Sequence, residues 1–148
     1  MKFIIQRVSH ASVTVEDNIV GEIEKGFLVL IGISHTDHTQ IADHMIRKLL
    51  GLRIFEDQQG KTNLSLTDVG GSLLLVSQFT LYADCKKGNR PSFTKAGSAE
   101  LASNLFDYIS DSCKASGLQV EAGIFAAKMQ VNLTNEGPFT IILDSDEL

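Results

Sequence analysis

Apolar and polar residues alternate from Met1 to Val15, with Val13 and Val15 on one side and Ser12 and Thr14 on the other, the period of a β-strand. A turn is expected at Asp17-Asn18. The segment I-V-G-E-I-E-K-G-F-L-V-L-I-G-I-S, Ile19 to Ser34, predicts a strand, a break near Gly26, and then a fully buried strand. From Asp37 to Leu50 the period changes. Ile41, Met45, Ile46, Leu49 and Leu50 fall at helical spacing, with Asp37 as expected cap, Gln40 as its capping-box partner and Gly51 as stop. Leu52–Phe55 predicts a short strand and Asp57-Gln58-Gln59-Gly60 a turn. Gly70-Gly71 opens a strand reading S-L-L-L-V-S-Q-F-T-L-Y, whose continuous apolar run Leu73–Val76 predicts burial on both faces. A loop follows from Asp84 to about Gly97. A second helix is expected over Ala99–Ala115, capped by Ser98 and stopped by Gly117, with Leu101, Leu105, Phe106, Ile109 and Cys113 as its apolar stripe. Leu118–Phe125, Met129–Thr134 and Phe139–Leu143 read as three more strands. Gly137-Pro138 reads as the turn between the last two.

Seven or eight strands and two helices, mostly joined by short turns, predict an α+β fold: an antiparallel, barrel-like twisted sheet with two helices packed outside. The 148 residues, 43% of them hydrophobic, are enough for one domain over 1–148. A chain of this length buries about 70% of its extended surface, so no disulfide or metal is needed to hold it. Cys85 and Cys113 have no metal-like spacing and read as reduced thiols of a cytosolic protein. The opening M-K-F-I-I-Q-R-V has too short an apolar run for a signal peptide, and no run approaches the ~18 apolar residues of a membrane span.

The net charge of −5 argues against a broad non-specific nucleic-acid binder, which needs a basic face to displace counterions. It leaves room for a local patch. The one basic cluster is C-K-K-G-N-R-P, carrying Lys86, Lys87 and Arg90 with Lys95 close behind. It reads either as a solvated loop or as a phosphate contact.

Conventional catalytic machinery is missing from the sequence. His38 and His44, in the pattern H-x5-H, face different sides of a helix and make a poor metal pair. Thr80 could act as a nucleophile only with a base in reach, and all four histidines lie in the first third of the chain. Asp144, Asp146 and Glu147 read as a solvated tail. Two stretches remain. Ser77, Gln78 and Thr80 end a buried strand, where polar groups must find partners or form a site. Gly137-Pro138 presents carbonyls without side chains in the way, because proline cannot serve a central strand and glycine permits close approach.

Taken together, S-Q-F-T-L at Ser77–Leu81 and N-E-G-P-F-T at Asn135–Thr140 resemble the two signature motifs of the D-aminoacyl-tRNA deacylases. The resemblance covers the whole chain: the M-K-x-x-x-Q-R-V opening, the L-Y-A-D-x-K-K-G-x-R-P-S-F loop and the M-Q-V-x-L strand also fit. It implies a cytoplasmic homodimer of barrel-like subunits that hydrolyses the ester joining a D-amino acid to the terminal adenosine of tRNA, without cofactor, metal or membrane. By resemblance, Ser77, Gln78, Phe79 and Thr80 line the catalytic pocket. The backbone N–H groups of Phe79 and Thr80 are candidate oxyanion donors, and Gln78 would hold the adenosine. The ribose 2′-OH would orient or activate the water. Gly137 and Pro138 would enter from the partner subunit through a cis bond and exclude L side chains, while glycine would pass. Arg7, Asn135 and Thr140 would support that gate, and Lys86, Lys87 and Arg90 would contact tRNA. One departure is visible: the family usually has glycine where this chain has Ala126. Two other readings compete, a non-catalytic nucleic-acid-binding dimer on the same fold and a small-molecule esterase using Thr80.

Overall fold

The computed structural model describes residues 1–148. Strand β1 (Lys2–Val15) turns through Glu16 and Asp17 into β2 (Asn18–Ile23), and β3 (Gly26–Gly32) continues along the same edge of β1. Both turn residues have positive φ, 47° and 61°, as a tight two-residue hairpin requires. The turn thus sits one residue before the expected Asp17-Asn18. Helix α1 (Thr39–Leu50) follows, then the small hairpin β4 (Arg53–Glu56) and β5 (Thr62–Ser65). Strand β6 (Ser72–Ser77), a one-turn 3₁₀-helix (Phe79–Tyr82), helix α2 (Ala99–Ala115), β7 (Val120–Ala122) and β8 (Gln130–Asp144) complete the chain.

The barrel-like α+β class holds, but the sheet is mixed rather than antiparallel. Its order is β2-β1-β3-β6-β7 with β8 on the other edge of β1, and β3–β6 and β6–β7 are parallel. The reason is the helices. Each lies between two strands that join the main sheet, and a crossover of that length returns the chain in the same direction, whereas a tight turn reverses it. At Gly26, where β3 meets β6, an added Cβ would stand 2.7 Å from Ser72 N, so glycine permits that approach.

Strand β6 is buried on both faces, as its apolar run predicts. Leu73 and Leu75 join the larger core with Phe3, Phe27, Met45 and Phe106 under the two helices. Leu74 and Val76 face a smaller core with Val8, Val13 and Leu28.

Several boundaries differ from the sequence pattern. Helix α1 begins later than Asp37, with His38 at the cap making no side-chain bond. Asp37 is spent elsewhere: its buried carboxylate accepts from the Met1 ammonium at 2.8 Å and from Ser34 N–H at 2.7 Å. Gly51 ends α1 with right-handed φ, −85°. Ser98 caps α2, accepting from Leu101 N–H at 3.2 Å, as expected. Only Val120–Ala122 of the segment Leu118–Phe125 pairs as a strand.

The largest correction concerns Gly137-Pro138. No hairpin turn lies there. Residues 130–144 are one strand, antiparallel to β1 throughout, and the register jumps from Gln6↔Thr140 to Val8↔Asn135. Residues 136–139 therefore stand opposite Arg7 alone, as an outward bulge. Proline is tolerated because the ladder is already broken at this point.

Candidate functional site

The strand-end motif changes structure where its apolar run stops. Gln78 N–H still bonds Ile31 O at 2.7 Å, extending the ladder by one step. The chain then tightens into the 3₁₀ turn, so the expected strand through Tyr82 ends at Ser77. The first N–H groups of a helical turn have no partner within it. No loop, turn or cap hydrogen bond uses Phe79 N–H or Thr80 N–H, while Leu81 N–H returns to Gln78 O at 3.3 Å. Two adjacent backbone donors are thus left open at the end of a rigid core strand. Phe79 is 55% exposed, and its ring is braced edge-on by Phe93 at 5.0 Å.

Ser77, Gln78 and Phe79 form one wall of a cavity of about 480 Å³, whereas Thr80, expected in the same pocket, does not line it because the chain has turned into the 3₁₀ helix. Its other walls are mainly apolar: Ile31 and Ile33, Ala99 and Ala102 at the start of α2, and Phe125, Met129 and Val131. The sequence pattern did not mark the last group. Its available signal was apolar residues in G-I-F-A-A-K-M without the period of a helix or a strand. Ala126 also lines the cavity and has φ 60°, left-handed backbone that glycine adopts freely.

The Thr80 hydroxyl accepts a hydrogen bond from the Gln78 amide Nε2. No histidine reaches it: His10 pairs with Glu22, His35 with Lys95 O, His38 with Gln40 and His44 with Arg47. An amide donor holds the hydroxyl in place but cannot take its proton.

The second motif is built around Arg7, which is 6% exposed. Its Nε–H donates to Glu136 O at 2.9 Å and its Nη1–H to Ile54 O at 2.6 Å. The guanidinium lies 4.5 Å from the Phe139 ring centroid. Asn135 closes the base of the bulge, donating through Nδ2 to Arg7 O at 3.1 Å and to Phe139 O at 3.0 Å. A Cβ on Gly137 would run into Asn135 Oδ1 and stand 2.9 Å from Phe139 N, so a side chain there would displace the Asn135 clamp. The Gly137–Pro138 peptide is cis, and both residues are exposed. Thr140, also exposed, resumes pairing opposite Gln6. Neither Gly137 nor Pro138 lines the cavity of its own chain. The structure thus brings Arg7, Asn135 and the Gly-Pro bulge together but leaves them apart from Ser77–Thr80.

The motif-bearing chain matches the family model described as D-Tyr-tRNA(Tyr) deacylase over residues 4–144. The chain belongs to this family. A D-aminoacyl-tRNA deacylase of Clostridioides difficile (strain 630) is 54% identical over 147 residues, 99% of each chain. One of Listeria monocytogenes serotype 4a (strain HCC23) is 50% identical, covering 100% of this chain and 98% of the relative. The enzymes of the deacylase family are hydrolases of an ester bond. Among solved structures, "c-Myc DNA Unwinding Element Binding Protein" superposes with TM-score 0.91 at 40% identity, covering 97% of this chain and 98% of that one. A probable eukaryotic D-amino acid tRNA deacylase, at 18% identity and TM-score 0.86, shares the fold. No helix of this deacylase-family chain is long and apolar enough to cross a membrane.

The cations of the expected tRNA contact lie on the loop after the 3₁₀ turn. Asp84 and Ser92 close its base through paired backbone bonds of 2.8 and 3.0 Å, and Asp84 Oδ1 accepts from Lys86 N–H at 2.9 Å. Lys86, Lys87 and Arg90 are exposed on its tip, and none forms an ion pair.

Proposed function

We propose that this chain, as one deacylase domain over residues 1–148, removes D-amino acids from tRNA in the cytoplasm by hydrolysing the ester to the terminal adenosine. The observation that carries the reading is the pair of open donors, Phe79 N–H and Thr80 N–H, at the end of β6 beside an apolar cavity of about 480 Å³. Fixed donors aimed at developing oxyanion charge lower the barrier without reorganising. The cavity takes the terminal nucleoside, with Gln78 as its polar contact. Water attacks the ester carbonyl, the tetrahedral oxyanion rests on the two N–H groups, and the bond to the ribose oxygen breaks. That oxygen leaves with a proton, and the D-amino acid departs as a carboxylate. The ribose 2′-OH orients the water. This role fits the lack of a base at Thr80, whose hydroxyl is held by an amide. No cofactor or metal enters the scheme.

Chirality is read by the Gly137–Pro138 bulge of a second copy. Two observations support this. The bulge does not line its own cavity, and the outer edge of β8 is unpaired over a strand carrying the exposed apolar residues Leu133 and Ile142. A long open edge with apolar side chains is a template for pairing with another chain. The carbonyls of Gly137 and Pro138 leave space at one α-carbon direction for hydrogen alone, so L side chains are refused. Glycine passes, which makes glycyl-tRNA a second substrate. Arg7, Asn135 and Thr140 hold the bulge, and Lys86, Lys87 and Arg90 contact tRNA phosphates.

A second reading, a non-catalytic nucleic-acid-binding dimer, is favoured by the 40%-identical structure whose name is that of a DNA-element binding protein. Incubating purified protein with D-tyrosyl-tRNA and L-tyrosyl-tRNA separates the two. Loss of the D ester alone is the expected result. Survival of both esters rejects the enzyme in favour of the binder, and loss of both removes the gate. Replacing the terminal ribose by its 2′-deoxy form abolishes turnover, whereas Thr80→Ala keeps most of it. The reverse pattern would make Thr80 the nucleophile of an ordinary esterase.

A further inference from the structure

A second recess lies across the 3₁₀ turn from the apolar cavity. Its volume is about 350 Å³, and Lys2, Lys86 and Lys95 line it together with Tyr82, Asp84 and Cys85. Residues 78–79 face the first cavity and residues 81–82 the second. From Phe79 to Tyr82 a 3₁₀-helix advances about 6 Å, the scale of one nucleotide step. We infer that this recess holds the phosphodiester on the 5′ side of the terminal adenosine, with Lys2 and Lys95 as ligands alongside Lys86.

The inference rests on the tRNA reading above but assigns residues that neither motif contains. Three lysines line one recess of a chain whose net charge is −5. Lys86 and Lys95 form no ion pair, so their charge is open to a ligand. Lys2 Nζ sits 3.2 Å from Asp144 Oδ2 and 5.4 Å from the Tyr82 ring centroid. Four carboxylates lie nearby: Asp144 is paired with Lys2, Asp84 accepts from Lys86 N–H, Asp37 is held by the Met1 ammonium, and Asp146 has no cation partner.

All three lysines stand on fixed backbone. Lys2 opens β1, opposite Gly32 and Asp144. The Lys95 carbonyl accepts from His35 N–H at 3.2 Å and bonds His35 Nδ1 at 3.1 Å, and Ala96 bridges to Ser34. Lys86 is tied to Asp84. The segment leading from this recess to α2 also carries Gly97, which lines the first cavity. One short stretch of chain therefore serves both sites, which suits a ligand that spans them. A single-stranded end needs such a pairing: a surface for the base and cations that track the backbone.

The test compares adenosine with the dinucleotide CpA, which adds one phosphodiester and a cytidine. Binding of each is measured by titration to the wild type and to Lys2→Ala/Lys95→Ala. The wild type is expected to prefer CpA about tenfold, and the variant to bind the two about equally. Added salt should weaken CpA binding to the wild type by screening the lysine–phosphate attraction, and should weaken it less in the variant. As a second measure, CpA should slow alkylation of Cys85, the exposed thiol in the recess, while inorganic phosphate at the same ionic strength should not. A wild type that binds both ligands equally overturns the inference. So does a variant that keeps the preference, and so does equal protection by inorganic phosphate, which would make this a general anion site. The D-tyrosyl esters of the same two ligands report on the parent reading. If neither is hydrolysed, the deacylase reading fails while the binding ratio still decides the recess.

Discussion

Replacing Arg7 by methionine separates stability from gating. The guanidinium is 6% exposed and donates charge-assisted bonds to Glu136 O and Ile54 O. Each such bond contributes about 1.5–3 kcal/mol, and the contact with Phe139 about 1–2 kcal/mol. Opposing this, burying a guanidinium costs several kcal/mol in lost hydration. Methionine has similar length, fills the space and relieves that penalty. Glu136 is exposed, so its carbonyl can return to water, but Ile54 is buried and its carbonyl loses a partner at about 1–3 kcal/mol. The terms nearly cancel, leaving a net loss of about 1–3 kcal/mol. At about 2–4 °C per kcal/mol for a domain of this size, the Tm should fall by roughly 2–12 °C. The protein therefore stays folded at room temperature. The bulge fares worse, because residues 136–139 keep only the Asn135 clamp. A displacement on the order of 1 Å in a positioning element can change rates about 100-fold. The expected result is a folded Arg7→Met protein that still hydrolyses D-tyrosyl-tRNA but discriminates against L-tyrosyl-tRNA about 100-fold less well. Thermal denaturation and ester-loss assays on both substrates measure it. An unchanged D/L ratio in a folded variant would refute the bracing argument, and an unfolded variant would show that Arg7 serves stability first.

Two further outcomes follow from backbone and burial. Ala126 has φ 60°, a conformation costing an L-residue about 1–2 kcal/mol. Against this, glycine has the floppier unfolded chain, by about 0.5–1 kcal/mol. The net gain of about 0–1.5 kcal/mol for Ala126→Gly should raise the Tm by up to about 6 °C, and a lower Tm in a melting curve would count against the strain assignment. Burial pushes the Cys113 thiol from 9.0 up to about 11. With the folded value raised, the neutral thiol's contribution is full below pH 9 and is lost as pH rises through 11. Wild-type stability should then fall relative to Cys113→Ala by about 1.4 kcal/mol per pH unit over that window, as read from denaturant midpoints. Parallel curves for the two proteins would reject it.

Most of the elements are written locally in the sequence, while the two motifs stand out as candidate sites only through their resemblance to a family. Local patterning suffices where one face or both faces of an element are buried: the alternation of β1 over Lys2–Gln6, the apolar run Leu73–Val76 and the stripe of α2 with its Ser98 cap appear as read, whereas Ala11, Ser12 and Val13 are buried in succession because β1 is covered on both edges and both faces there. Ala126 stood out only against the family resemblance, and its positive φ shows why glycine suits that position. Tertiary structure settled what depends on partners distant in the chain. Asp37 looks like a helix cap locally, but the Met1 ammonium and Ser34 N–H claim its carboxylate. Gly137-Pro138 looks like a hairpin turn, because proline breaks a ladder. Only the long β1 alongside β8 shows that the chain runs on and bulges instead, with Arg7 filling the gap. Likewise the cavity gathers Ile31, Ser77, Ala102 and Met129 from separate regions, and the lysine recess joins residues 2, 86 and 95. Periodicity records which way a side chain faces along its own segment. It carries no information about which distant segment will stand opposite, and both candidate sites are made from such oppositions.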